Sequence, residues 1–472
     1  MSNKGYRMTE KNICIIGAGI GGLTAGALLT HKGYKVTIYE KESRIGGRAI
    51  SLEGTSITEK EYKNLLARFH MNIAFSEPTI DEIFDKKMLD GYKLDFGYHI
   101  IGGGVLSNFN GVLSELDDHL DFIESFVGFI KENDYEFPFL SKLDKLKIAP
   151  NIIRLLFASE KTLKELDSVS ITETINKYGR GKMTLILEVF SRSITTLNNL
   201  DKISTGEMFR AQRNLYKGTK PVGYPMGGLD SMHQKLAKYI TNNGGIIKLD
   251  ASVEEIIIHN KKIVGVKVGG KIAPFDIVVS NILVQDLFKL ADEKHFSKKY
   301  VSELKSLIGT GSLCAYYSLK NIPDYFIGKV FHFLERDVGV EGNDAVGMID
   351  FMSASSYAGL SPKGEFLVQS YMICNPDEAR NPLVLKKLRS LLDKNLEVLI
   401  PDYKKQLNWS IYPAIWHLDG VAKTIEKDKP DIKTPIENLY LVGDCVKAPG
   451  IGMNCAINSG RILGDMLQEE SQ

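Results

Sequence analysis

Two hydrophobic periods alternate along this chain, and each change of period marks a new element. Ile13, Cys14, Ile15 and Ile16 form an unbroken apolar run. Such a run predicts a strand covered on both faces, as in a parallel sheet. A helix is expected over residues 21–32 with Gly33 closing it, and Val36, Ile38 and Tyr39 begin a second strand. From 106 to 217 apolar residues recur at helical spacing: Leu113, Leu116 and Leu120, then Ile152 to Phe157, then Met183 to Val189. The pattern switches back over 221–281. Pro225-Met226-Gly227-Gly228 predicts a turn, Asp230 or Ser231 caps a helix to about residue 241, and Asn242-Asn243-Gly244-Gly245 breaks it. Strands are predicted at 246–249, 253–258, 263–268 and 277–279. Further on, 312–319 and 365–372 read as strands and 383–399 as a helix. Residues 439–442 predict another buried strand, followed by a glycine loop and a last helix over 453–467.

With 472 residues the chain is long enough for two or three domains. Its hydrophobic content of 43% and charged content of 25% are those of an ordinary globular protein. A net charge of +1 points to no nucleic-acid partner. No window approaches the uninterrupted apolar length of a membrane span. Lys4, Arg7 and Lys11 precede the first apolar run as in a secretory signal, but glycines spread through that run argue against one. Cys14, Cys314, Cys374, Cys445 and Cys455 are scattered, which reads as a reducing, cytoplasmic setting without a disulfide framework. No Cys/His cluster suggests a metal.

The first hundred residues carry the chemistry. Gly17, Gly19 and Gly22 fit G-x-G-x-x-G between a strand and a helix. In that frame the first glycine permits a tight turn, the second lets the backbone approach a pyrophosphate, and the third lets the helix pack on the strand. The helix N-terminus offers N–H groups and the positive end of the dipole to phosphate. Glu40, at the end of the second strand, suits a ribose hydroxyl pair and disfavours a 2′-phosphate. Strand, helix, strand and acid in register predict a dinucleotide site.

Three blocks then resemble the superfamily of FAD-dependent amine oxidases and phytoene desaturases, which includes carotenoid isomerases, retinol saturases and protoporphyrinogen oxidases. They are residues 17–48, ending in Gly46-Gly47-Arg48; Tyr224-Pro225-Met226-Gly227-Gly228-Leu229 through Val253-Glu254-Glu255-Ile256; and residues 438–453, with Gly443-Asp444 and Gly450-Ile451-Gly452-Met453. The whole chain shares the resemblance. It implies FAD as cofactor, with Gly17, Ala18, Gly19, Ile20, Gly21 and Gly22 around the pyrophosphate. Glu40 and Lys41 would stand beside the adenosine ribose, Gly47 and Arg48 near the phosphates or flavin, and the backbone of Val253 at the adenine. Gly443 and Asp444 would hold the ribityl chain or pyrophosphate, and Gly452, Met453 and Asn454 the flavin pyrimidine. The second block and Gly97-Tyr98-His99-Ile100-Ile101 lean towards the phytoene desaturase branch. One departure stands out: Lys447-Ala448-Pro449-Gly450 lacks the His-Pro-Gly segment common in bacterial phytoene desaturases.

The expected fold is α/β. A Rossmann-type FAD-binding domain from 1–105, 218–309 and 430–472 is interleaved with an α+β substrate domain from 106–217 and 310–429. The resemblance implies oxidoreduction at carbon–carbon bonds of an apolar, carotenoid- or isoprenoid-like substrate. Amine or protoporphyrinogen oxidation is the alternative. A prenyl-binding escort protein on the same fold is disfavoured by the intact glycines, Glu40 and Asp444. His99 is the candidate proton donor or substrate guide, against a histidine bonded under a loop. Cys445 and Cys455 read as small buried hydrophobes or as flavin contacts. Lys447 reads as a loop lysine or a basic group near the flavin, and Tyr412, Trp416 and His417 as cavity wall or core. Residues 148–157, with Arg154, read either as a half-buried helix or as a surface in peripheral contact with a membrane.

Overall fold

The computed structural model describes residues 11–97, 100–215 and 220–470. Five parallel strands form the nucleotide sheet: β1 (Asn12–Ile16), β2 (Lys35–Tyr39), β3 (Ile246–Lys248), β4 (Ile277–Ser280) and β5 (Leu439–Leu441). Their order is β3-β2-β1-β4-β5, the order of a doubly wound nucleotide-binding sheet. β1 is central, with β2 and β4 on its two edges, so Ile13 to Ile16 are buried on both faces as their apolar run requires.

Helix α1 (Ile20–His31) is buried over nearly its whole length because α2 (Asp230–Asn242) and α3 (Met453–Glu469) both pack on it. Small residues permit that crowding. A Cβ on Gly460 of α3 would stand 2.8 Å from the Ala25 nitrogen, and one on Gly26 of α1 would stand 2.8 Å from Ile38 Cδ1. The chain leaves β1, β2, β4 and β5 at one edge of the sheet, and the loops bearing Gly17, Glu40, Asn281 and Gly443 gather there. Ligands bind at this carboxyl edge in open α/β sheets.

A second, largely antiparallel sheet has eight strands. In spatial order they are Met71–Glu77, Leu407–Ile415, Gly311–Leu319, Phe366–Cys374, Asn343–Asp350, Val330–Val340, Val127–Ile130 and Tyr135–Glu136. The helix Pro382–Leu399 lays Leu385, Leu388, Leu392, Leu396 and Leu399 into the same apolar cluster as one face of this sheet. Met71–Glu77 is a difference from expectation: it falls within residues read as nucleotide domain, yet it edges the second sheet. Leu407–Ile415, to which it pairs, carries Pro413, and the pairing shifts register between Tyr412 and Pro413. A proline survives in a strand at such an irregularity. Short strands at Phe122–Ser125 and Val127–Ile130 likewise interrupt a segment whose periodicity reads as helical.

Candidate active site

The glycine turn after β1 is built by close packing. Gly17 sits at φ 98, and its N–H donates to the Tyr39 carbonyl at 2.8 Å. A Cβ there would lie 3.0 Å from the Asn281 carbonyl, and one on Gly21 would lie 2.8 Å from Asn281 Oδ1 and 3.0 Å from Gly443 Cα. The second turn, Gly46-Gly47-Arg48, rests on the first: Gly46 N–H donates to the Ala18 carbonyl at 2.8 Å. No side chain caps α1, whose N-cap is Gly19, or α3, whose N-cap Gly452 has φ 55. Both helices therefore present their first-turn N–H groups to the space between the loops, and two helix N-termini without capping side chains make a cradle for anionic or electron-rich groups.

Glu40 lies where strand β2 delivers it. One carboxylate oxygen accepts the Ala18 N–H at 2.7 Å and the other accepts the Glu42 N–H at 3.0 Å. Burial raises its pKa, and these two N–H groups act against that rise. The acid thus fixes the glycine turn as well as walling the cavity. Glu40→Ala is expected to weaken FAD binding by roughly one to two orders of magnitude, the scale of a lost charge-assisted hydrogen bond. Titration of FAD into the apoprotein measures this, and an unchanged affinity would remove the acid from the site.

The space itself is a cavity of about 310 Å³. Gly17, Gly19, Ile20, Gly21, Glu40, Lys41, Gly47, Arg48, Val253, Gly443, Asp444, Gly452 and Met453 all line it. Arg48 bridges its floor: one guanidinium nitrogen meets Asp444 Oδ1 at 2.6 Å, and another donates to the carbonyls of His417 at 2.9 Å and Leu418 at 3.3 Å. Asp444 Oδ2 accepts the Gly420 N–H at 2.7 Å. Burial alone would raise the Asp444 carboxyl, but Arg48 and the Gly420 N–H hold it below the usual carboxylate range.

A second cavity, of about 160 Å³, meets the first at Leu418, Gly452 and Met453. Its walls are mostly apolar, with Ile100, Val127, Phe190, Ile194, Val222 and Met348 among them, and its polar lining includes Ser193, Thr196, His332, Tyr371 and Asp419. Thr196 donates to Asp419, which Thr310 also bonds at 3.3 Å.

Residues 20–462 match the family model described as flavin-containing amine oxidoreductase. The chain belongs to that family. Its cofactor is FAD, and it is an FAD-dependent oxidoreductase. It is 21% identical to a 4,4′-diapolycopen-4-al dehydrogenase of Metabacillus indicus over 98% of this chain and 97% of that protein. It is 26% identical to a neurosporene-forming phytoene desaturase of Rhodobacter capsulatus over 96% and 93% of the two chains. The solved structure of an oxidoreductase from Methanosarcina mazei superposes with a TM-score of 0.70 at 20% identity, covering 96% of this chain and all of that one. That likeness bears on the fold alone.

In this flavin amine oxidoreductase, three residues expected at the cofactor do not line the first cavity. Ala18 spends its N–H on Glu40, Gly22 lies beneath the turn, and Asn454 lines the second cavity. Asn281 was not legible as a site residue, yet its amide donates to the Gly17 carbonyl at 3.2 Å and its side chain touches the glycine turn. The signal was its position one residue past a buried parallel strand. His99 lies outside the described residues. Tyr412 is core: it packs edge-on against Phe75 and Tyr317 and donates to Asp393 at 2.7 Å. Lys447 pairs with Asp428 and Asp431, each at 3.2 Å, and does not line either cavity. Cys445 and Cys455 are buried thiols.

His332, absent from the sequence reading, is fully buried, and burial pushes its imidazole down to about 3. Its folded pKa lies below the unfolded value, so as pH falls through about 6.5 the unfolded chain gains a proton that the folded chain refuses. Stability is therefore lost on acidification, by about 2 kcal/mol between roughly pH 7 and pH 5. In urea melts at both pH values the pH-dependent loss should be smaller by this amount in His332→Gln than in wild type. The contribution of His417, whose imidazole burial pushes down to about 4, is common to both.

Proposed function

We propose that the enzyme acts at a carbon–carbon bond of an apolar, isoprenoid-like substrate, by desaturation, saturation or isomerisation. The observation that carries this reading is the second cavity, whose mostly apolar wall reaches the N-terminus of α3 at Gly452 and Met453. The carotenoid-acting relatives support it. When bound, FAD supplies the hydride acceptor or donor. Gly17, Gly19 and Gly21 would hold the pyrophosphate, and Glu40 the ribose. The N–H groups at Gly452 and Met453 would stabilise negative charge on the pyrimidine side. The apolar walls orient the substrate and keep water away.

Amine oxidation is the second reading, favoured by one observation: the buried carboxyl of Asp419 in the cavity wall. Among the described residues, Phe190 and Tyr371 are the phenyl and phenol rings of that lining, fewer than the several rings of an aromatic cage. Anaerobic mixing of the yellow holoenzyme with polyene and amine panels decides between them. Bleaching by a polyene, or reoxidation of the reduced enzyme by one, is expected. Bleaching by amines alone would overturn the carbon–carbon reading.

No described helix is long and apolar enough to cross a membrane. The helix Lys142–Leu156 nonetheless exposes Leu143 (69%), Leu146 (70%) and Ile153 (55%), with Phe157 (84%) just beyond its end. At about 100° per residue these fall within roughly 80° of arc, with lysines beside them, which suits an anionic bilayer surface. Lys145 of this helix lies over the Phe126 ring at 4.4 Å, next to Val127 of the second cavity. The holoenzyme is expected to float with phosphatidylglycerol-containing vesicles, and Leu143→Glu/Leu146→Glu/Phe157→Glu to stay behind. Equal flotation of the two would discard this contact.

A further inference from the structure

The second cavity holds an arrangement that an apolar substrate alone does not require. His332, Met348 and Tyr371 are cross-strand neighbours on Val330–Val340, Asn343–Asp350 and Phe366–Cys374, and all three line the cavity. The helix Lys182–Thr195 lays Ser193 over this row. The Ser193 hydroxyl lies 2.6 Å from His332 Nε2 and 3.4 Å from the Tyr371 hydroxyl. His332 and Tyr371 are each only 3% exposed, whereas Ser193 is half-buried in the cavity wall. Two buried polar side chains thus stand behind one accessible hydroxyl.

Burying a histidine and a tyrosine in an apolar wall costs free energy unless their partners repay it. Apolar side chains of similar size would fill the same space without that cost. A serine hydroxyl has one donor and two acceptor positions. Held by His332 and Tyr371, it still has one left for a ligand, and whether that is a donor or an acceptor depends on the histidine tautomer and on the direction of the Tyr371 hydroxyl. Of the neighbouring polar groups, Thr196 is committed to Asp419 and Asp419 also to Thr310, while Asn454 offers a buried amide oxygen, an acceptor, without a partner among the described residues.

We propose that Ser193, positioned by His332 and Tyr371, is a binding residue for an oxygen atom on the substrate, so that the enzyme takes an apolar molecule bearing a hydroxyl or carbonyl group rather than a bare hydrocarbon. This rests on the reading of the second cavity as the substrate site. Ser193 makes the contact, and His332 is a positioning residue that acts through it.

The test is calorimetric titration of the holoenzyme with two probes of one skeleton, geraniol and the corresponding diene lacking the hydroxyl. Geraniol is expected to bind roughly five- to tenfold tighter, the size of one neutral hydrogen bond. Ser193→Ala should erase that preference by weakening geraniol and leaving the diene unchanged, and Ser193→Thr should restore it. His332→Gln should reduce the preference with the same diene affinity, which a merely structural histidine would not do. Thermal melts confirm that each variant is folded. Equal binding of the two probes by the wild type, or an undiminished preference in Ser193→Ala, overturns the oxygen-binding assignment alone. Failure of both probes to bind overturns the apolar-cavity reading beneath it.

Discussion

Gly22→Ala is expected to leave a folded protein that no longer retains FAD. The added Cβ would fall well inside contact distance of the Gly17 carbonyl oxygen and 2.9 Å from Asn281 Nδ2. The first of these is backbone and cannot rotate aside. The start of α1 must therefore draw away from β1, and the N–H groups at Gly19 to Gly21 move with it. Binding should fall by roughly a hundredfold or more, the loss that about 1 Å of displacement brings at a preorganised site. Gel filtration followed by flavin absorbance of the protein peak measures retention. A yellow Gly22→Ala protein with wild-type affinity would mean that the turn is not the phosphate cradle. The contrast with Glu40→Ala is in kind: that variant loses a partner, whereas this one loses the geometry.

Asp444→Ala should be the most destabilising single change at the site. Asp444 neutralises Arg48 and accepts the Gly420 N–H, so its removal strands a mostly buried cation and a buried donor. Breaking such a pair from one side costs about 3–5 kcal/mol. The double variant Arg48→Met/Asp444→Leu should recover much of that stability, because no lone charge remains, while FAD stays weakly held. The Asp444 carboxyl is depressed in the fold, so its contribution is present above the ordinary carboxylate range and is lost as pH falls through its folded value. Urea melts of wild type, Arg48→Met, Asp444→Leu and the double variant close the cycle. Stabilities that simply add would show that the two side chains do not interact.

The nucleotide half was legible because its signals are local. Gly17, Gly19 and Gly22 answer a steric demand within a few residues, and the run Ile13 to Ile16 shows its own two-sided burial. Five parallel strands and most residues lining the first cavity follow from such runs and from the loops at their ends. Of the second sheet, 312–319 and 365–372 were legible as strands, whereas others hid because their reasons are distant. Gly347 lies beneath the Phe333 ring of the neighbouring strand, so a poor strand former is correct there only in the folded state. Pro413 speaks against a strand until the register shift opposite it is seen. Tyr412 reads as a candidate cavity aromatic, yet what settles it in the core is Asp393, on a separate helix. His332 and Ser193 had no signal at all: their pairing spans 139 positions of sequence, and neither belongs to a motif.

The strand order β3-β2-β1-β4-β5 has a consequence in time. β1 and β2 emerge first during synthesis, but the β4 edge of β1 has no partner until residues 277–280 exist, and the cavity lacks Gly443, Asp444 and Gly452 until almost the whole chain is made. Three strands of the second sheet are made before β4 pairs with β1, and β5, which pairs with β4, is made only after the other five. Such long-range pairing is slow and leaves sticky edges in the interim. FAD therefore has no complete site on the nascent chain, and its capture belongs to the final act of folding, when α3 closes over α1.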